Sequence, residues 1–111
     1  MKYDNENIFA KILRDEIPCD KVFEDEHVLS FRDINPQAKL HILIIPKKKF
    51  IDIADFLENA DEAFQSLFWS SVNKIIINLE LKDKGFQIKA HKGKDGGQEV
   101  FHFHLHLLSN S

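Results

Sequence analysis

The segment FHFHLHLL, at positions 101–108, constrains the fold more than any other stretch of the chain. Its three histidines, His102, His104 and His106, occupy every second position, and Phe or Leu fills the positions between them. Successive side chains of a β-strand point to opposite faces of the sheet. The segment therefore predicts a C-terminal strand with its apolar side chains in a core and its three imidazoles on one solvated or functional face.

The rest of the chain predicts four further strands and two helices. Alternating apolar residues and turn residues favour strands at 21–24, 28–33, 40–45 and 86–92. A short helix capped by Asn7 would place Ile8, Phe9 and Ile12 on one face, and Pro18 requires it to end earlier. Strands grouped before and after one long helix indicate an α+β domain with a mostly antiparallel, five-stranded sheet.

The long helix is predicted by apolar residues spaced three and four apart between positions 64 and 79. Asn59 and Glu62 have the spacing of a capping box at its N-terminus. Trp69 and Ile77 lie outside the main apolar stripe, and this indicates a second buried face that a partner subunit would cover.

Composition narrows the class of protein. The 111 residues are 43% apolar, enough for a single domain, 1–111, with its own core. A net charge of −3 gives no basic field for nucleic acid, and no apolar run approaches the ~20 residues of a membrane helix. The polar N-terminus does not resemble a signal peptide, and the single cysteine, Cys19, suits a reducing compartment. We expect a soluble, cytoplasmic protein without nucleic-acid or membrane partners.

Three interpretations of the histidine segment are open. As metal ligands, the outer two imidazoles would lie about 13 Å apart on a strand, so only two neighbours could share zinc, with His41, His91 or a carboxylate completing the site. As solvated side chains of an edge strand, all three would be hydrogen-bonded without a chemical role. We favour the third interpretation, catalysis on a phosphate next to the glycine-containing loop at 93–98. A neutral imidazole is a nucleophile when its other nitrogen is held as a donor, and protonated neighbours would stabilise the developing charge.

The sequence resembles the histidine triad (HIT) family, because HFHLHLL matches its His-x-His-x-His pattern followed by two apolar residues. IFAKILRDEIPCDKVFEDE, LSFRDINPQAKLHILIIPKKK and KDGGQEVFHFHLHLL are similar, in the same order, to segments of the Hint branch, the nucleoside phosphoramidate hydrolases. The resemblance implies a homodimer in which two five-stranded antiparallel sheets join across the interface and the long helices pack there. It implies neither a metal nor another cofactor.

The resemblance also implies a reaction. His104 would attack the α-phosphorus of a purine nucleotide, preferably of adenosine, and water would hydrolyse the nucleotidyl-histidine. His106 would contact the phosphate oxygens, while His102 and His41 would orient the nucleophile. Nucleotidyl transfer and dinucleoside polyphosphate cleavage share this first step, and non-catalytic nucleotide binding is a further alternative.

By the same resemblance, Asp33 would bind the ribose hydroxyls, although it also suits the turn before Asn35. Several residues match the walls of a base pocket, of which the first three also suit any amphipathic helix: Ile8, Phe9, Ile12, Phe31, Arg32 and Ile34. The loop along the phosphate matches Gly97, Gln98 and Glu99.

The sequence departs from the family pattern at three points. His91 stands where the family usually has an Asn that contacts the nucleotide. An imidazole at this nucleotide-binding position can still donate one hydrogen bond, but it cannot reproduce the paired donor and acceptor of an amide. Glu99 stands where relatives have Ser or Glu, and a carboxylate repels phosphate unless it is protonated or turned toward the leaving group. Relatives usually continue beyond the position of Ser111, so we expect a looser substrate preference.

Overall fold

The computed structural model describes residues 1–111 and contains one five-stranded antiparallel sheet. Its strands, in the spatial order β1-β2-β3-β5-β4, are β1 (Lys21–Glu24), β2 (Val28–Arg32), β3 (Leu40–Pro46), β4 (Gln87–Lys89) and β5 (Leu105–Ser109). The helices are α1 (Ile8–Leu13), α2 (Ile53–Asn59) and α3 (Glu62–Asn78), and a 3₁₀ turn spans Lys94–Gly96. The predicted α+β class and five-stranded sheet are confirmed, and α2 adds a second short helix to the two predicted helices.

The central strands divide their side chains between two faces of the sheet. One face, which we call the packed face, carries the cross-strand pairs Ile42–Leu107 and Ile44–Leu105. The other, which we call the open face, carries the pairs His41–Leu108 and Leu43–His106. Because side chains alternate along each strand, one register gives the packed face only apolar residues from these pairs and places His41 and His106 on the open face.

Helices α2 and α3 cover the packed face. Phe56 of α2 is fully buried, and its ring stacks on Phe103 with a centroid distance of 4.7 Å and lies 4.9 Å from the ring of Phe68. The predicted apolar face of α3 is confirmed for most of its members, whereas Leu67, predicted on the same face, is 43% exposed. The buried side chains are Phe64, Phe68, Val72, Ile75 and Ile76. Burial of this many large side chains makes the packed face the main apolar core.

Helix α1 covers only part of the open face. The Asn7 side chain accepts a 2.9 Å hydrogen bond from the Ala10 N–H, as the predicted cap requires. Phe9 and Ile12 then pack on β2 and β3, in a smaller cluster with Leu29, Phe31, Leu43 and Ile45. The remainder of the open face is left to the histidines.

The predicted capping box of the long helix is wrong. Asp61 caps α3, because its carboxylate accepts a 2.7 Å hydrogen bond from the Phe64 N–H. Asn59 is instead the last residue of α2, and its amide donates to Asp55 Oδ1 at 2.7 Å. Both residue types are good N-caps, so spacing alone did not distinguish them.

Apolar side chains also lie on the outer surface. Trp69 and Ile77 on α3 are 39% and 51% exposed, and Ile88 on the edge strand β4 is 40% exposed. The second apolar face predicted from Trp69 and Ile77 is therefore present and uncovered in the single chain. No helix combines the length and the apolar character needed to cross a membrane.

Candidate active site

The sequence predicted that the three histidines of the C-terminal segment lie on one regular strand. They do not. Only His106 belongs to β5, since the strand begins at Leu105. The Phe103 N–H donates to the Phe50 carbonyl at 2.7 Å, and the His102 ring bonds the Pro46 carbonyl. These contacts replace ladder bonds before Leu105 and bury His102 and His104. The three imidazoles do share one side of the segment, because Phe103 lies in the packed core while the rings of His102 and His104 meet Phe9 on the open face. The regular strand predicted through His102 and His104 is wrong, and neither of these two rings is solvated.

His104 has one nitrogen committed and one free. Its Nδ1 lies 2.7 Å from the His102 carbonyl, which can only accept, so Nδ1 carries the proton. Nε2 has no protein partner and is not sealed from solvent. Burial lowers the pKa of His104, which favours the neutral ring. A neutral imidazole with a lone pair on its accessible nitrogen is the form required of a nucleophile.

Both ring nitrogens of His102 are hydrogen-bonded within the protein. Its Nε2 donates to the Pro46 carbonyl at 2.9 Å, and its Nδ1 accepts from the Tyr3 hydroxyl at 2.6 Å. The side chain is fully buried, and burial lowers its pKa to about 4. His102 therefore cannot contact a ligand, but its own carbonyl fixes the tautomer of His104.

His41 and His106 are hydrogen-bonded to each other next to Asp33. The Gln37 N–H donates to His41 Nδ1 at 3.0 Å, so the His41 proton is on Nε2. That N–H donates to His106 Nδ1 at 2.9 Å, and Asp33 Oδ2 lies 3.3 Å from the same nitrogen of His41. His106 consequently carries its own proton on Nε2, which has no protein partner and is not sealed from solvent.

The sequence left open whether the imidazoles that flank the nucleophile carry a charge. Burial, together with the neighbouring imidazoles of His104 and His41, lowers the pKa of His106 to about 4. His102 has a similar pKa. The imidazoles that flank His104 are therefore neutral near pH 7, and they can stabilise an anion as N–H donors but not as cations.

The best candidate for a metal site is the group Asp33, His41 and His106, whose donor atoms all lie within 4.8 Å of one another. A metal would bind His41 through an unprotonated Nε2, and a neutral imidazole would then carry its proton on Nδ1. That position already faces the Gln37 N–H. Two donors would oppose each other, so this group fits a hydrogen-bonded chain better than a metal centre.

The loop between β4 and β5 brings His91 to the same place. Its Nδ1 donates to the Gly96 carbonyl at 2.9 Å, and its ring centre lies 5.1 Å from that of His106. Gly97 adopts a left-handed conformation with φ of 80°, which favours glycine. Glu99 is exposed on the same loop.

Gln98 braces this loop. The side chain is buried, its Oε1 accepts from the Gly93 N–H at 2.8 Å, and its Nε2 donates to the Ile51 and Val100 carbonyls at 2.8 and 3.0 Å. Because its amide is fully engaged, Gln98 supports the loop conformation and has no group left for a phosphate.

Apolar side chains line the open face next to His104. The Phe9 ring meets the His104 ring edge-to-face at a centroid distance of 5.0 Å and the Phe31 ring at 5.5 Å. Ile12 packs in the same cluster, whereas Ile8 is partly exposed and Ile34 is 90% exposed. A cavity of about 430 Å³ is lined by Ile12 and by residues of the segment from Leu13 to Glu24, and because no histidine lines it, it is separate from the imidazole site.

Arg32 is not brought to these residues. It follows Phe31 on β2, pairs in register with Ile42 of the packed face, and forms an ion pair with Asp20 at 3.5 Å. Its side chain therefore lies on the other side of the sheet from the histidines, and only its backbone could border a pocket on the open face.

Two supporting groups had no sequence signal. Tyr3 reaches His102 across nearly the whole length of the chain, and the Gln37 contact uses a backbone N–H. Neither periodicity nor residue type predicts such contacts, because both depend on how the open face is assembled.

Known proteins are similar to this chain in sequence and in fold. Residues 14–111 match the model of the HIT domain. An uncharacterized 13.2 kDa HIT-like protein of Azospirillum brasilense is 45% identical over 107 residues, which are 96% of this chain and 88% of that protein. A 14 kDa zinc-binding protein of Zea mays is 44% identical over 107 residues, with 95% and 82% covered. The solved structure of a HIT family hydrolase from Clostridium thermocellum has a TM-score of 0.86 at 32% identity, with 97% of this chain and 93% of that chain covered.

Proposed function

The chain belongs to the HIT domain family, and from this premise we propose that it hydrolyses the P–N bond of purine nucleoside phosphoramidates, or a bond to another good leaving group, at the α-phosphate. The observation that carries the proposal is the fixed tautomer of His104, with Nδ1–H bonded to the His102 carbonyl and Nε2 unprotonated and accessible.

The proposed reaction has two steps at one phosphorus atom. In the first step, His104 Nε2 attacks phosphorus and the P–N bond breaks. Its electron pair goes to nitrogen, which takes up a proton and leaves as a free amine, while the nucleotide stays bonded to His104. In the second step, water attacks the same phosphorus and the bond to His104 breaks, releasing the nucleoside monophosphate. The hydrogen bond from Nδ1 to a carbonyl persists throughout and stabilises the positive charge that the substituted ring acquires.

His106 would bind the phosphate as a neutral donor. Its Nε2–H is free because Nδ1 accepts from His41. The hydrogen-bond chain from the Gln37 N–H through His41 keeps that proton on Nε2. Such fixed donors stabilise charge on phosphoryl oxygens without reorganisation during the reaction.

Nucleoside recognition is proposed along the remaining open face. Phe9, Ile12 and Phe31, which are buried in the single chain, would form the apolar floor of a purine pocket, and the exposed Ile8 and Ile34 would form its outer walls. Asp33 would accept hydrogen bonds from the ribose hydroxyls, while its Oδ1 accepts from the Asn35 N–H and so also serves the turn.

We further propose that two copies associate through the uncovered apolar surface of α3 and the edge strand β4. Trp69, Ile77 and Ile88 give that surface its apolar character, and an edge strand has unpaired backbone groups that another strand can bond. The single cysteine is compatible with the cytoplasm, where we propose that the enzyme acts.

The test is release of adenosine monophosphate from an adenosine 5′-phosphoramidate, measured by chromatography. His104→Ala should lower kcat/KM by at least about 10⁴-fold, because the covalent route is lost. His27→Ala is the matched control, since His27 is a half-buried imidazole that packs on Phe64 and has no ring contact with another histidine.

Two results would contradict the proposal, and a third measurement tests the alternative of a metal site. Equal turnover by the parent protein and His104→Ala would exclude His104 as the nucleophile. Binding of adenosine monophosphate in calorimetry without any turnover would identify a nucleotide-binding module. Zinc binding, which the name of the maize relative states for that protein, would appear as stoichiometric metal in the purified protein.

A further inference from the structure

The site contains a fourth imidazole, His91, and its geometry is not that of a passive loop residue. The β4–β5 ladder pairs Lys89 with His106, and His91 follows Lys89 by two residues, so the alternation of side chains places His91 on the same open face. The ring of His91 packs edge-to-face on His106, with an interplanar angle of 81°. His91 therefore lies next to the proposed phosphate-binding imidazole, His106, whose ring centre is in turn 5.1 Å from that of the proposed nucleophile, His104.

The two nitrogens of His91 differ in the same way as those of His104. Nδ1 donates to the Gly96 carbonyl at 2.9 Å, which holds the ring on its own loop. Nε2 has no protein partner and is not sealed from solvent. It can therefore gain and lose a proton without breaking a contact of the folded chain.

The other imidazoles cannot serve as the proton donor for a departing amine. His104 is the nucleophile, and both nitrogens of His102 are engaged. The His41 Nε2 proton is donated to His106. His106 is held as a neutral donor to the phosphate, because burial and neighbouring imidazoles lower its pKa to about 4.

We propose that His91 is a catalytic residue of this hydrolase, and that its Nε2–H protonates the leaving amine when the P–N bond breaks. This inference rests on the proposed function. In the first step, the electron pair of the P–N bond goes to nitrogen, which takes the proton from the His91 imidazolium and leaves as a neutral amine. In the second step, neutral His91 accepts a proton from the attacking water, and the electron pair of the bond from phosphorus to His104 returns to Nε2.

The groups that can influence the proton on His91 come from several elements. Lys92 is already paired with Asp52 at 3.5 Å. The other titratable groups of the site are His104 and His106 on the C-terminal segment, His41 on β3 and Asp33 in the turn before β3. Those of the β4–β5 loop itself are Lys94, Asp95 and Glu99.

Two substrates separate proton donation from mere binding. One is adenosine monophosphate joined to a primary alkylamine, whose leaving nitrogen requires a proton. The other is the p-nitrophenyl ester of adenosine monophosphate, whose leaving phenolate is stable without one. His91→Asn should lower kcat/KM for the amine substrate by about 100-fold or more and for the ester by less than about threefold.

His27→Asn makes the same chemical change outside the site and should alter neither value. Equal loss on both substrates, or no loss on the amine substrate, would overturn the assignment. A selective loss in Glu99→Gln but not in His91→Asn would transfer the role to Glu99 and also overturn it. If the parent protein cleaves neither substrate, the proposed function itself fails, and that outcome is distinct from those in which only the His91 assignment fails.

Discussion

The packed and open faces of the sheet are built from the same strands, yet they are covered in different ways. On the packed face, Ile42, Ile44 and Leu107 are fully buried under α2 and α3. On the open face, α1 covers only the end near β2. The rest of this face is occupied by imidazoles that contact one another and is covered by no helix. The comparison shows that alternation along the same strands can supply the main apolar core on one face and polar, reactive side chains on the other.

The largest expected effect comes from a cavity in the packed face. Phe56→Ala removes a fully buried ring that stacks on Phe103, and it should lower the free energy of unfolding by about 3–5 kcal/mol. Urea unfolding at fixed protein concentration would measure this. Because the ring does not reach the open face, kcat/KM per folded molecule should remain within about twofold of the parent value.

Glu58→Ala is the matched control, because Glu58 lies exposed on the same helix and should change stability by less than about 0.5 kcal/mol. A large loss of kcat/KM in folded Phe56→Ala would show instead that the two faces are coupled through Phe103, which lies between His102 and His104 in the chain.

A smaller effect on stability is expected from the titration of His102, the fully buried imidazole of the open face. Burial lowers the pKa of His102 to about 4 in the native state, from an ordinary value of 6.5 that applies when the chain is unfolded. The unfolded chain therefore binds more protons between these two values, and stability falls as pH is lowered through that window. Between pH 7 and pH 5, His102 alone should account for a loss of about 2 kcal/mol.

The comparison variant is His102→Gln, whose amide can donate to the Pro46 carbonyl but cannot titrate. Urea unfolding at both pH values should show a smaller loss in the variant than in the parent, by about 2 kcal/mol. An equal loss in both proteins would mean that His102 does not keep its depressed pKa.

The packed face was the easier one to predict from sequence. Apolar spacing identified the buried side of α3, and β-branched residues identified β3 with an error of one residue. Helix α2 was missed because it has seven residues and one buried side chain, Phe56, which is too short a pattern to show a helical period.

The open face could be predicted only in part. Alternation correctly gave β5, but it extended the strand through His102 and His104, where bonds from side chains replace the ladder. The residue types identified the imidazoles as a group. Their tautomers depend on a carbonyl and a backbone N–H from distant segments, and no residue pattern encodes these contacts.

The smallest effect concerns the cap of the helix that covers the packed face. Asp61→Ala removes the acceptor for the Phe64 N–H and should lower the free energy of unfolding by about 1 kcal/mol. Asn59→Ala, at the position predicted from sequence, removes only an exposed hydrogen bond to Asp55 and should have an effect within about 0.5 kcal/mol. Both variants should keep the parent kcat/KM, because α3 does not contribute to the open face. A larger effect at Asn59 than at Asp61 would restore the predicted capping box and would place the start of α3 two residues earlier.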